Sequence, residues 1–463
     1  MPRVKMTKPG GHAAASEVPG RPDCVYFLMF PGWENEPRGN RWHFAVRWAK
    51  RLPVVLVQPT LAFRSAMSQP EPRIPNSRVF RIRSAGYQED IAYTVQVQVA
   101  QVLKDMAEHD FHRPLLWQYN PNLAGLCARI PAVARVYHAS EAHFLYTRLD
   151  PFFLVQMRSA LKLSDLTVAV SAGVADSIRA RVPEARIATV TNGCDFNAYI
   201  RGKPDTELLS AASGYRRIAI YAGNINERLD FNLIDQLAAS HPDVLFAMYG
   251  RVADLGEDIG LWKRALRRDN VLAPGAIDPD RLPDVYAAAD VGIIPYKQEP
   301  LLVEAGWPLK ALEMCATGLP VVSTLMRSLL GVARGLLVTS SQNGFLEAFA
   351  ATSRSNLSAE DSAELLEVSA ANDYDSKFDE VLEALDPIIG DSQSTTTKAD
   401  IFVAELGPLW QEGELHFFRL IRIRLSDVVR EVARVLPPVA RRRLLRGGNR
   451  AAIKRFFGIG RRT

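Results

Sequence analysis

The sequence predicts an α/β chain built as two doubly wound parallel-sheet domains in tandem, with a basic helical tail behind them. Three observations carry this. At 463 residues the chain has room for two or three domains. Short apolar runs rich in β-branched residues alternate with segments of helical period, the pattern of strands covered on both faces. The alternation stops once, at RGKPDTELLSAASG (201–214), and then starts again. Hydrophobic residues at 48% and charged residues at 23% belong to a chain with a substantial core, which excludes a disordered, collagen-like or small disulfide-stapled protein.

Residues 1–22 carry basic side chains without an apolar stretch and read as a disordered leader, not a secretory signal. The first domain, 23–200, offers strands at CVYFLMF (24–30), PVVLVQP (53–59), RVFRIR (78–83), PLLWQYN (114–120), ARVYHAS (134–140), LTVAVS (166–171) and RIATVTNG (186–193). Amphipathic stretches such as WHFAVRWAKR and FFLVQMRSALKLS lie between them as helices. The second domain, 215–387, offers RIAIYAG (217–223), VLFAMYG (244–250), NVLAPG (270–275), VGIIPY (291–296), LPVVST (319–324) and GLLVTS (335–340), with helices that include FNLIDQLAAS, DRLPDVYAAA and LKALEMCATG. A long acidic helical region over roughly 358–386 closes it. IIGDSQSTTTKAD (388–400) reads as a linker, and 401–463 as a basic amphipathic tail.

The four cysteines, Cys24, Cys127, Cys194 and Cys315, are far apart with no C-x-x-C pair, which points to a thiol-keeping compartment and away from a sequence-local zinc site. No apolar run approaches the ~18–20 residues that span a bilayer. The expected location is therefore cytoplasmic, peripheral to the inner face of the cell membrane. The charge distribution supplies the peripheral part. From Phe417 to Thr463 there are fourteen basic residues against two acidic ones, a charge of +12 in a chain whose total is +5, so the remainder carries −7. Phe418, Ile421, Leu425 and Val428 recur at helical spacing among the arginines, and a second basic stretch follows Pro437-Pro438. Apolar residues in such helices need an apolar partner, which favours an anionic membrane surface over nucleic acid.

The most informative stretch is PLKALEMCATGLPVVST (308–324). Lys310 and Glu313 share one helix face, and Lys310 falls in the first turn after Pro308, where free N–H groups and the positive dipole end favour an anion. A diphosphate there also gains the ammonium, about 4 kcal/mol for a charge pair at ~4 Å in an effective dielectric of 20. Glu313 is placed to accept hydrogen bonds from ribose hydroxyls. A surface Lys–Glu pair worth ~0.2–0.5 kcal/mol accounts for the spacing alone. In the second domain neither G-x-G-x-x-G nor G-x-x-x-x-G-K-[ST] occurs, so dehydrogenase and P-loop readings lose their support.

The neighbours of that pair decide between the two. The stretch resembles the donor-binding motif of GT-B glycosyltransferases in the form P-x-K-x-x-E-x-x-A-x-G-x-P-V-V, here Pro308, Lys310, Glu313, Ala316, Gly318, Pro320, Val321 and Val322. YAAADVGIIPY (286–296), VTNGCDFNAY (190–199) and YAGNINERLDFNLI (221–234) are similar to three further segments of that superfamily, in the same order. The resemblance covers about residues 24–385. It implies two Rossmann-like domains facing a central cleft, and transfer of a sugar from a nucleotide-sugar donor to a membrane-associated glycan or polyprenyl-linked acceptor in polysaccharide biosynthesis. A GT-B-like nucleotide-sugar epimerase and a non-catalytic membrane-recruited scaffold are the alternatives.

Carried over residue by residue, the resemblance makes Arg228 a diphosphate-binding cation, with a surface pairing to Glu227 or Asp230 as its other reading. Ile277 packs or backbone-bonds the base, while Tyr296 and Leu309 line the donor side, with aromatic core packing as the other reading of Tyr296. The commoner E-x7-E form is broken: Ala305 stands eight residues before Glu313, and Glu304 is one position off register, so the stereochemical course stays open. In the first domain RVYHASEAHF (135–144) resembles the Y-R-A-S-D segment of xanthan-type glucuronosyltransferases, whose Asp is the general base. Glu141 takes the Asp position and His138 the Arg position, which makes Glu141 the candidate base, His138 the second and His143 the third. A helix-start carboxylate is the other reading of Glu141. In the loop FPGWENEPRGNRWHF (30–44), Arg38, Asn40, Arg41 and His43 face the acceptor, unless the loop is simply solvated over Trp33 and Trp42. Asp278-Pro279-Asp280 spells a D-x-D, yet it precedes DRLPDVYAAA and reads as an N-cap with proline at the first helical position. No metal and no cofactor is expected beyond the nucleotide-diphosphate sugar itself.

Overall fold

The computed structural model describes residues 21–60, 66–84, 91–146, 151–253, 255–392 and 394–400. The tail expected at 401–463 and residues 1–20 of the leader lie outside them. All thirteen strand runs named above are strands. In the first unit they are β1 (Cys24–Leu28), β2 (Val54–Thr60), β4 (Ser77–Arg83), β5 (Pro114–Gln118), β6 (Ala134–Ala139), β7 (Leu166–Ala169) and β8 (Ile187–Thr189), joined by β3 (Met67–Pro70). The sheet order is β3-β4-β2-β1-β5-β6-β7-β8, and only β3 runs antiparallel. The second sheet holds β9 (Arg217–Ala222), β10 (Val244–Tyr249), β11 (Val271–Gly275), β12 (Val291–Ile294), β13 (Val321–Thr324) and β14 (Leu336–Thr339). It is wholly parallel, in the order β11-β10-β9-β12-β13-β14.

The apolar runs are continuous because every residue of β1, β5, β6, β9 and β10 is buried between helix layers. In each sheet the strand order reverses once, between β1 and β5 and between β9 and β12. Such a reversal leaves a crevice at the carboxyl ends of the strands, where these sheets take ligands. β3 escaped the sequence pattern because all four of its residues are exposed. It is an edge strand with no apolar alternation to betray it, and its Pro70 is tolerated there for the same reason.

Two boundaries differ from expectation. The acidic helical region is two helices, Ala359–Ala371 and Tyr374–Gly390, parted at Asn372 and restarted by Asp373, whose carboxylate accepts the Asp375 N–H. The second helix does not belong with the second domain. Tyr374, Phe378, Val381, Leu385 and Ile389 join the core of the first unit, beside Phe44, Trp48 and Trp117. The expected boundary at 387 therefore moves back to about 372. An amphipathic stripe announces a buried face but not the sheet that buries it. The expected linker is no free segment either. Thr396 exchanges backbone hydrogen bonds with Ala132, and Lys398 reaches Asp165 and the carbonyl of Leu163, so residues 394–398 are strapped along the first unit.

The two units meet directly. Ser171 Oγ donates to the Ala305 carbonyl (2.9 Å). Asn192 and Trp307 exchange a reciprocal pair, Nδ2 to the Trp307 carbonyl (3.0 Å) and the indole N–H to the Asn192 carbonyl (2.8 Å). Gly173 admits the backbone of Glu304 so closely that a Cβ would lie 1.9 Å from its carbonyl oxygen. No helix among the described residues is long and apolar enough to cross a membrane.

The crossing helix gives the first prediction. Phe378 is 3% exposed and stands edge-on to Trp48 at 5.1 Å. Phe378→Ala is expected to cost about 3–5 kcal/mol. Urea unfolding followed by tryptophan emission measures it, and a cost below about 1 kcal/mol would mean the helix is not part of that core.

Candidate active site

On the second unit the site is built around Lys310. The ammonium donates to the Tyr296 hydroxyl (2.7 Å) and lies 4.9 and 5.1 Å from the ring centroids of Tyr221 and Tyr296. It sits against the turn that follows β9. Gly223 there has φ +153°, and a Cβ would come within 2.9 Å of Lys310 Cε, so the turn requires glycine for the lysine to fit. Among the described residues no carboxylate lies within ion-pair distance of this ammonium; its partners are one hydroxyl and two aromatic faces. The helix that carries it, Leu309–Cys315, has only seven residues. The ammonium, more than an aligned stack of peptide dipoles, therefore supplies the positive potential expected here.

Arg228 lies in the same region. Its carbonyl accepts from Lys297 (2.8 Å) and the next turn is tied by the Asp230 N–H to the Pro295 carbonyl (2.9 Å), so the loop is sewn to the end of β12 beside Tyr296. Asp230 is occupied as a cap, accepting from the Leu233 N–H (3.0 Å), and among the described residues Arg228 forms an ion pair with neither it nor Glu227. Instead Arg228 Nη2 crosses to the first unit, 2.9 Å from Glu141 Oε1 and 2.9 Å from the Tyr146 hydroxyl. Tyr146 donates in turn to the other oxygen of Glu141. Burial pushes the Glu141 carboxyl up, but Arg228 and the Tyr146 hydroxyl outweigh it and hold the group below the ordinary range. Glu141 stands at a bend before the short turn His143–Leu145, not at the start of an α-helix.

Glu313 is half-buried in a cleft cavity of about 170 Å³, which it shares with Arg38, His43, Tyr199, Asp280 and Asp284. Burial pushes its carboxyl up to about 7, against the pull of Lys310 and the Tyr199 hydroxyl. Ile277 is half-buried against the second core. Leu309 packs against the first core, so it braces the two units at the start of the Lys310 helix. Glu304, the off-register carboxylate, is turned away to Arg327 (2.8 Å).

The first-unit residues divide. Arg38, at φ +58°, crosses to Asp280 with its second bond at 3.0 Å and lies over the Trp42 ring. Asp278 accepts the Asp280 N–H as the N-cap of the turn Pro279–Arg281, which accounts for that acidic pair. Arg41 pairs with Glu36 in its own loop. Asn40 and His138 are corrected: they belong to the interior. Tyr119 donates to Asn40 Oδ1 (2.8 Å) and lies 3.2 Å from His138 Nδ1, while Asn40 Nδ2 donates to Asn192 Oδ1 (2.8 Å). His138 is 1% exposed, stacked on Tyr119 and under Phe44, beyond the reach of an acceptor hydroxyl. His43 lines the cavity but lies flat on Tyr374 at 3.9 Å. Sequence reasoning missed Tyr146, Tyr221 and Gly223. Gly223 alone had a signal, as a glycine closing a strand run.

Comparisons with known proteins agree with this architecture. Residues 216–355 match the family model "Glycosyl transferases group 1". The putative teichuronic acid biosynthesis glycosyltransferase TuaH of Bacillus subtilis is 35% identical over 145 residues, 31% of this chain and 35% of TuaH, so the match spans about a third of that relative's length. Anabaena HepE, solved with UDP and glucose, superposes with a TM-score of 0.59 at 15% identity over 79% of this chain and all of HepE. Sucrose-phosphate synthase from Thermosynechococcus elongatus gives 0.56 at 16% identity over 84% of this chain and 98% of its own. Two parallel-sheet units about a cleft define a GT-B protein. The match to the group 1 glycosyltransferase model falls within its second unit.

The buried histidines give the second prediction. Burial drives His138, and burial together with Arg47 drives His43, down to about 3, so both stay neutral in the fold. Unfolded, they titrate near 6.5. Between those values the unfolded chain binds more protons, and the two groups therefore subtract stability as pH falls from about 6.5. NMR titration should show no shift of either imidazole between pH 8 and 5; a midpoint near 6.5 for His138 would contradict its enclosure.

Proposed function

We propose that the protein transfers a sugar from a nucleotide-diphosphate donor to an acceptor hydroxyl, on a membrane-associated glycan or polyprenyl-linked carrier, in polysaccharide biosynthesis. The observation that carries this is the Lys310 ammonium, half-buried and without a carboxylate, beside a glycine turn at the reversal of the second sheet. A cation so placed is completed by an anion, and a diphosphate supplies one. The relatives support the donor class: HepE is solved with UDP and with UDP-glucose, and TuaH is named for teichuronic acid biosynthesis.

In this reading Glu141 accepts the proton of the acceptor hydroxyl. The acceptor oxygen forms its bond to the anomeric carbon as the bond from that carbon to the diphosphate oxygen breaks. The electron pair leaves with the diphosphate, and Lys310 and Arg228 carry its charge. A preorganised donor group of this kind is worth about 10²–10³ in rate, and a positioned base about 10²–10⁴. Closure of the two units about the cleft would exclude water from the anomeric centre.

Lys310→Ala is expected to lower nucleotide release from the best of a panel of nucleotide sugars by about 10²–10³-fold; release at the wild-type rate would sink the assignment. The membrane part of the proposal rests on the charge and apolar spacing of residues 417–463. Flotation with vesicles of phosphatidylglycerol should carry the full chain, and a chain ended after residue 400 should stay at the bottom. Equal flotation of both would place the membrane contact elsewhere.

A further inference from the structure

The contact between Glu141, Tyr146 and Arg228 joins the two units through groups to which the proposed function gives separate tasks. Arg228 belongs to the loop after β9, whereas Glu141 and Tyr146 both follow β6. One guanidinium nitrogen carries both bonds, and the Tyr146 hydroxyl accepts from Arg228 while donating to Glu141. Both charged side chains remain about a third exposed, at 33% for Arg228 and 38% for Glu141, so water and dissolved anions reach the pair.

Held this way, each charged group is unsuited to its task. A carboxylate bonded to a guanidinium takes a proton less readily, and a guanidinium bonded to a carboxylate must give it up or share it before it serves a phosphate. We propose that the three residues form an exchangeable clasp across the cleft, in which the donor diphosphate draws Arg228 away and leaves Glu141, still oriented by the Tyr146 hydroxyl, free to accept the acceptor proton. This rests on Arg228 as a diphosphate cation and Glu141 as the base.

Tyr146 is the positioning residue of the clasp. Its single O–H points at Glu141, so that bond survives when Arg228 leaves, and the carboxylate keeps its orientation. The other titratable groups facing Glu141 are His143 in its own loop and Tyr137 on β6; Tyr296 faces Arg228 from the end of β12. None of these replaces the guanidinium as a cation beside Glu141, since burial lowers the proton affinity of His143. With Arg228 gone, the half-buried carboxylate binds a proton more readily. The acceptor hydroxyl thus meets a competent base only after the donor is in place. By linkage the converse holds: the clasp opposes the diphosphate by as much as the diphosphate opposes the clasp.

Calorimetric titration of the full chain with UDP tests this, on wild type, Glu141→Gln, Tyr146→Phe and Arg228→Ala, each first shown to unfold cooperatively near the wild-type temperature. Arg228→Ala should bind UDP about tenfold more weakly, and Glu141→Gln about fivefold more tightly, because the competitor for Arg228 has lost its charge. Repeated at pH 6 in two buffers of different ionisation enthalpy, binding should take up protons relative to Glu141→Gln, and Tyr146→Phe should take up more, since its carboxylate keeps no donor. Weaker binding by Arg228→Ala with unchanged or weaker binding by Glu141→Gln, and no difference in proton uptake, would make the contact a fixed brace and overturn the clasp. Undiminished binding by Arg228→Ala, or no UDP binding at all, would instead overturn the diphosphate assignment, and the clasp with it.

Discussion

An ammonium ion beside two tyrosines, with no carboxylate among the described residues within ion-pair distance, constrains the second unit. Removing a lysine from water is costly unless something returns the lost solvation. Here the return comes from the Tyr296 hydroxyl and the face of Tyr221, a well-placed face being worth ~0.5–2 kcal/mol. That arrangement dictates the local sequence. Gly223 must lack a side chain, Tyr221 must stand next to last in β9, and Tyr296 must follow β12, so two separate segments serve the charge carried by a third. All three lie where the strand order reverses, which is why the positive potential appears at the cleft and not along an arbitrary helix face.

Arg228 shows the opposite economy. It is paired, and its counter-charge comes from the other unit. Two cations that both act on Tyr296 are thus kept in different states, one by a hydroxyl and an aromatic ring and one by a carboxylate. The unpaired ammonium gives attraction at all times. In the proposed clasp the paired guanidinium is the one that changes partners.

Most of the fold was legible because buried parallel strands such as β1, β5, β6, β9 and β10 leave continuous apolar runs, and thirteen of the fourteen strands among the described residues fall on runs visible in the sequence. β3 left no trace, since an exposed four-residue edge has no buried face to impose a pattern. The helix Tyr374–Gly390 was legible as a helix but not as part of the first unit, because its stripe of Tyr374, Phe378, Val381 and Leu385 would suit either sheet. The candidate site was legible in its helix placement, since Lys310 and Glu313 share the helix Leu309–Cys315. It was misread where a polar residue in a cleft-side loop was taken to face outwards. Asn40 and His43 lie one turn apart on the helix Asn40–Ala49, and both point inwards: the helix buries this face against Tyr119, Asn192 and Tyr374. Buried polar groups must find partners, and Asn40 does so with Tyr119 and Asn192, so a polar residue at this position signals an internal network as readily as a ligand contact. Tyr146 was invisible because its role depends on Arg228, 82 positions away.

Two chemical kinds stand out among the bonds between the two units. Ser171 to the Ala305 carbonyl, and the reciprocal pair of Asn192 and Trp307, are neutral bonds that use backbone carbonyls. Neither a phosphate nor salt competes effectively for such partners, and opening them would strand buried polar groups. Glu141–Arg228 and Arg38–Asp280 are ion pairs whose members keep a third or more of their surface in water. Pairs of this kind contribute little to stability and are screened by salt, so their loss is tolerable to the fold. An interface held by neutral bonds near the connecting segment, and by replaceable charges where the cleft opens, can remain assembled while its ion pairs change partners. That division lets a single rigid contact surface coexist with ion pairs free to exchange partners, as the proposed clasp requires.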